Sequence, residues 1–160
     1  MPKFQGNPSE EATRRIEEAR RSGATNIDLG GLGLTAIPDS LARLPKLRSI
    51  FLSNNQITAI PDSISQLAKL RSLYLHGNQI TALPESLTQL AALDTLYIID
   101  NRISVIPDSL AQLAQLRVLY LSFNQISVIP DSLAQLAQLQ VLNLSRNRID
   151  RKSTRLNSSH

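Results

Sequence analysis

The sequence predicts an α/β solenoid, and three observations carry that reading. Asparagine recurs every 23 residues, at Asn55, Asn78, Asn101, Asn124 and Asn147. A fixed period of this length marks a stacked repeat array. An apolar frame recurs with it. One unit holds Leu47, Ile50, Leu52, Ile57, Ile60, Ile64 and Leu67; the next holds Leu70, Leu73, Leu75, Ile80, Leu83, Leu87 and Leu90. No unit can bury seven aliphatic side chains alone, so units must stack and stability becomes a sum of nearest-neighbour terms. Two periodicities also alternate within each unit. Apolar residues alternate with others around Ile50 and Leu52, which reads as a short strand. After Pro61 the spacing becomes three (Ile64, Leu67, Leu70), which suits a 3₁₀ or short α turn with proline in its first positions.

In chain order, residues 1–23 read as an N-terminal capping helix region. Asn7, Pro8 and Glu10 supply a capping residue, a first-turn proline and an early acid, and Gly23 supplies the stop. Ala12, Ile16 and Ala19 form the apolar stripe that should dock on the open edge of the first repeat. Glu10–Arg14, Glu11–Arg15 and Glu17–Arg21 are i,i+4 pairs in the favourable order. Four interleaved acids argue against reading Arg14, Arg15, Arg20 and Arg21 as a membrane or nucleic-acid surface.

Residues 24–149 hold five full repeats (24–46, 47–69, 70–92, 93–115, 116–138) and a truncated sixth. Each asparagine lies where strand becomes turn, where its amide can bond to backbone groups lacking a ladder partner. The frame, L-x-x-L-x-L-x-x-N-x-L-x-x-L/I-P-x-x-L/I-x-x-L, resembles that of the leucine-rich repeat family. The resemblance implies a right-handed horseshoe with parallel strands on its concave side and short helical turns on its convex side. The first repeat departs from the pattern, with Leu32 where asparagine is expected, as terminal repeats do.

The last segment, 150–160 (D-R-K-S-T-R-L-N-S-S-H), breaks the frame. It resembles a translated sequencing-library adapter and is read as a non-native tail. Setting it aside removes three of 17 basic and one of 13 acidic residues, and lowers the net charge from +4 to +2. The remaining charge is no argument for nucleic acid. Without the tail, the apolar face around Leu139, Leu142 and Leu144 is expected to lie open to water, so a truncated fragment of a longer protein is expected. Cysteine is absent. Extracellular members of the resembled family usually carry cysteine-rich caps, so the resemblance points to a cytoplasmic protein. No apolar signal core or membrane-length run is present.

The chemistry-bearing residues are sparse, and the chain reads as no enzyme, with no cofactor and no metal. Of two histidines, His160 falls in the tail and His76 stands alone on the concave side. Gly30, Gly31 and Gly33 form a glycine-rich stretch without the Lys-Ser/Thr that a phosphate loop requires. Asp39, Asp62, Glu85, Asp108 and Asp131 recur once per repeat at turn starts, where acids meet the helix dipole favourably.

The concave columns say more. At the position between two core residues the repeats carry Asp28, Phe51, Tyr74, Tyr97, Tyr120 and Asn143. Four consecutive rings at about 4.8 Å strand spacing, half exposed, would offer about 300–400 Å² of apolar surface. Phe123 projects beside them, and Arg48, Arg71 and Arg117 flank them with Asp94 and Gln140. Aromatics with arginines are the types enriched in interface hot spots. A cross-strand ladder that only stiffens the sheet is the competing reading.

The expected function is therefore a non-catalytic protein–protein interaction module whose concave face (Phe51, Tyr74, Tyr97, Tyr120, Phe123, Arg48, Arg71, Arg117 and His76) holds a protein partner. A peptide or glycan sensor is the alternative. Residues Arg14 to Pro38 resemble the start of bacterial Roco-type and Ras-group leucine-rich repeat proteins. That resemblance implies a sensing arm, with a small GTPase or a C-terminal GTPase module as partner, and a signalling role.

Overall fold

The computed structural model describes residues 3–149; the tail assigned to 150–160 lies outside them. Six strands form one parallel sheet in sequence order: β1 Asn26–Asp28, β2 Ser49–Phe51, β3 Ser72–Tyr74, β4 Thr95–Tyr97, β5 Val118–Tyr120 and β6 Val141–Asn143. Each pairs with the next in step with the 23-residue period, so Ile27, Ile50, Leu73, Leu96, Leu119 and Leu142 align across the sheet. Each return passes through a five-residue 3₁₀ turn: Asp39–Arg43, Asp62–Gln66, Glu85–Gln89, Asp108–Gln112 and Asp131–Gln135. A proline precedes each turn in extended conformation. This is the solenoid horseshoe that the repeat frame requires. The convex choice left open by the sequence falls on 3₁₀ because three-residue spacing eclipses the apolar side chains on one edge.

A helix, α1 (Pro8–Ser22), precedes the array. The Asn7 side chain accepts from the Glu10 amide, and Gly23 ends the helix at a φ of 66°. Ala12, Ile16 and Ala19 are buried in the same core as Leu29 and Leu41. The ion pairs differ from expectation in one place. Arg14 pairs with Glu11 at i,i+3, and with Glu18 at 3.4 Å, rather than with Glu10. Arg15 pairs with Glu11, and Arg20 and Arg21 with Glu17. Arg14 first, then Arg15, hold the Glu11 carboxyl down at about 2.

The asparagines stitch consecutive repeats. Asn78 accepts from the Ile57 amide at 3.0 Å and donates to the carbonyls of Leu52 and Leu75 at 3.0 and 2.9 Å. Asn124 does the same with Ile103, Ile98 and Leu121. Asn101 reaches Ile80 and Leu75, and Asn147 reaches Ile126, Leu121 and Leu144. Asn55 serves the atypical first repeat, accepting from both Leu32 and Leu34 and donating to the Leu29 and Leu52 carbonyls. Leu32 can therefore be apolar and buried. Its own loop amide is satisfied from the following repeat.

On the convex side, the acid column is tied to the next repeat rather than only to the turn dipole. Ser63 donates to Asp39, and Ser132 to Asp108, each at 2.9 Å. The equivalent hydroxyls of Ser86 and Ser109 are buried without a partner. These two would face Asp62 and Glu85. The longer Glu85 interrupts the serine–aspartate spacing at Ser109.

Candidate interaction surface

Strand alternation builds the surface. The middle residue of β2 to β5 points into the core and the flanking residues point out. Phe51, Tyr74, Tyr97 and Tyr120 therefore share one face with Ser49, Ser72, Thr95 and Val118. The in-step register places the four rings directly beside one another. Their centroids lie 4.6, 5.0 and 4.6 Å apart, with interplanar angles of 4°, 21° and 9°. This is a stacked ladder. The rings cover one another's faces, so each is less than half exposed, and the 300–400 Å² expected from half-exposed rings is an overestimate. Stack edges and tyrosine hydroxyls face the concavity. Burial first, then the neighbouring Tyr120 and Tyr74 phenols, raise the Tyr97 hydroxyl above its ordinary pKa.

Arg48, Arg71 and Arg117 are exposed one residue before their strands, at the edge of the ladder. Asp94, in the same row, accepts from the Thr95 hydroxyl at 2.8 Å. His76 sits on the other edge, partly buried, with its Nδ1 2.9 Å from the Ser53 hydroxyl. Among the described residues no three histidine, cysteine or acidic side chains are grouped as a metal ion would require, and no helix is long and apolar enough to cross a membrane.

One row escaped the sequence reading. The residue before each asparagine has a left-handed backbone: Asn54 (φ 59°), Gly77 (72°), Asp100 (59°), Phe123 (57°) and Arg146 (57°). Gly31, before Leu32, does the same at 71°. Glycine takes this conformation freely, and asparagine and aspartate take it more readily than other side chains. A bulky aromatic there costs about 1 kcal/mol or more. The run of Gly, Asn, Gly and Asp was a readable signal for the backbone turn, and Phe123 concealed it. The Phe123 side chain is 56% exposed.

Phe123 closes one side of a concavity of about 560 Å³ lined by Asn54, His76, Gly77, Tyr97, Ile99 and Asp100. Gly77 lets the Asn54 side chain approach closely: a Cβ built there would collide with the Asn54 amide oxygen. Gly77, Asp100, Asn54 and Ile99 were not singled out in the sequence. Their joint position depends on the register of four strands.

A family model described as leucine rich repeat matches residues 22–80 and 91–149. Among solved structures, the chain is similar to a leucine-rich repeat protein of Leptospira interrogans. The identity is 33% and the TM-score 0.77, covering 84% of this chain and 34% of that one. It is similar to an internalin of Listeria monocytogenes at 29% identity and TM-score 0.66, over 84% of this chain and 37% of that one. It also resembles a plant peptide hormone receptor, RGFR1, in complex with RGF2, at 29% identity and TM-score 0.66. That match covers 78% of this chain and 20% of the receptor. The chain thus spans about a third of the length of the two bacterial proteins and a fifth of the receptor. No curated protein matches it.

Proposed function

We propose that this chain, which belongs to the leucine-rich repeat family, is a non-catalytic interaction module that holds a protein or peptide on its concave face. The observation that carries this reading is the aromatic stack from Phe51 to Tyr120, edged by Arg48, Arg71 and Arg117. Stacked rings need no further side-chain ordering when a partner arrives, so their edges and hydroxyls offer contact at low entropic cost. The likeness to a peptide hormone receptor in complex with RGF2 supports a polypeptide ligand. A glycan lying flat on the rings is the weaker reading, because the faces of Tyr74 and Tyr97 are occupied on both sides by their neighbours. A cytoplasmic setting and membership of a larger signalling protein accompany the proposal. A GTPase as partner or neighbouring module rests on the resemblance of residues 14–38 alone.

The test is selection of ligands from a displayed peptide library, followed by an alanine scan of the stack measured by calorimetry. Tyr97→Ala should weaken a selected ligand by at least about 2 kcal/mol, the size of a hot spot. Losses below about 0.5 kcal/mol at all four ring positions would remove the stack as the energetic centre.

A further inference from the structure

The concavity at Gly77 has a composition that selects one kind of side chain. Its floor, Tyr97 and Ile99, is apolar and suits an aliphatic stem. Asp100 stands on one side, exposed, and among the described residues it has no ion pair. The exposed ring of Phe123 stands in the next repeat of the same row. A stem ending in a cation can lie along the floor, meet the Asp100 carboxylate and pack against the Phe123 ring. The other titratable groups nearby do not fill this role: His76 is engaged with Ser53, and Arg146 lies one repeat beyond Phe123. The backbone adds an independent observation. Phe123 and Arg146 keep a left-handed conformation where Asn54, Gly77 and Asp100 are residue types that tolerate it, and of the two Phe123 lines the cavity. Strain held at the mouth of a cavity points to a use for the side chain that bears it.

We propose that this notch is the subsite for one basic side chain, arginine or lysine, of a peptide partner. The proposal rests on the concave-face reading above and adds the chemistry of one anchor.

The test uses ¹⁵N NMR titration of the full chain with acetyl-Gly-Ser-Arg-Ser-Gly-amide, and with analogues carrying citrulline or leucine in place of arginine, to about 10 mM. The arginine peptide should shift the amides of Gly77, Asp100 and Phe123, and bind at least about tenfold more tightly than the citrulline peptide, which keeps the shape and loses the charge. Asp100→Asn should remove most of that difference. Phe123→Gly should weaken the arginine peptide at least about threefold while raising the melting temperature, because glycine relieves the backbone. A purely structural role for Phe123 would leave binding unchanged. Equal binding of the leucine peptide would overturn the basic anchor in favour of an apolar one. An absence of shifts at these three amides would overturn the notch as a subsite. Neither failure touches the proposed function, which falls only if ligands selected on the chain ignore the tyrosines.

Discussion

Leu73 and Leu142 hold the same place in the repeat frame, one in β3 and the other in β6. Leu73 is fully buried between β2 and β4; Leu142 is 41% exposed. The residue is the same and so is the strand, so burial here belongs to the neighbour rather than to the side chain. The opposite edge makes the same point. Ile27, in β1, is buried although its strand pairs on one side only, because α1 covers it. In a globular domain a core leucine is surrounded in three dimensions; in a stack it depends on two flanking units. Truncating the two leucines measures that dependence. Leu73→Ala should cost about 3–4 kcal/mol, as for a well-packed core site, and Leu142→Ala about 1 kcal/mol or less. Urea unfolding monitored by circular dichroism gives both values. Equal losses would mean that β6 is covered in solution as thoroughly as β3.

The asparagines allow the same comparison with polar groups. Asn78 and Asn147 make the same three bonds, to an amide 21 residues back and to carbonyls 26 and three residues back. Asn78 is buried, whereas Asn147 is partly exposed. Asn78→Ala strands the Ile57 amide away from water and leaves the Leu52 and Leu75 carbonyls with one donor each, from Asn55 and Asn101, and should cost about 2–3 kcal/mol. Asn147→Ala leaves groups that water can reach, and should cost about 1 kcal/mol. The difference should also appear in hydrogen exchange. The Ile57 amide of Asn78→Ala should lose protection by a larger factor than the Ile126 amide of Asn147→Ala.

What the sequence revealed follows from which interactions repeat. Any feature present once per 23 residues was legible: the strand, the turn, the asparagine, and the aromatic column that the in-step register turns into a stack. The α1 boundaries were legible because Asn7, Pro8 and Gly23 act on their own backbone. The concavity at Gly77 was not legible. It is lined by a glycine in β3's repeat, a carboxylate in β4's and a ring in β5's, and only the register brings them together. Ring exposure was overestimated for a related reason. Counting aromatics gives area, but the stacking angle decides how much of that area the rings hide from solvent. Arg14 pairs with Glu11 rather than Glu10, an i,i+3 choice that i,i+4 counting does not capture.

The smallest expected effect lies inside the aromatic stack, between Tyr97 and a phenylalanine put in its place. Tyr97 is flanked by two phenols and partly withdrawn from water, and its hydroxyl therefore holds its proton more tightly in the folded chain than in the unfolded one. The unfolded chain, with an ordinary tyrosine pKa of about 10, then releases that proton first as the solution becomes alkaline. With fewer protons bound in the unfolded state than in the folded state, stability must fall as pH rises above about 10. Below that pH both states keep the proton and the contribution is constant. Tyr97→Phe removes the ionisation and preserves the ring, so the variant should lose less stability than the parent between pH 10 and pH 11. Ultraviolet titration of the three tyrosines provides the companion measurement: the variant should lack the phenol that ionises above the ordinary range. A parent and variant with identical stability profiles across that interval would place Tyr97 in open water, and would return the stack to the half-exposed stripe that column counting suggested.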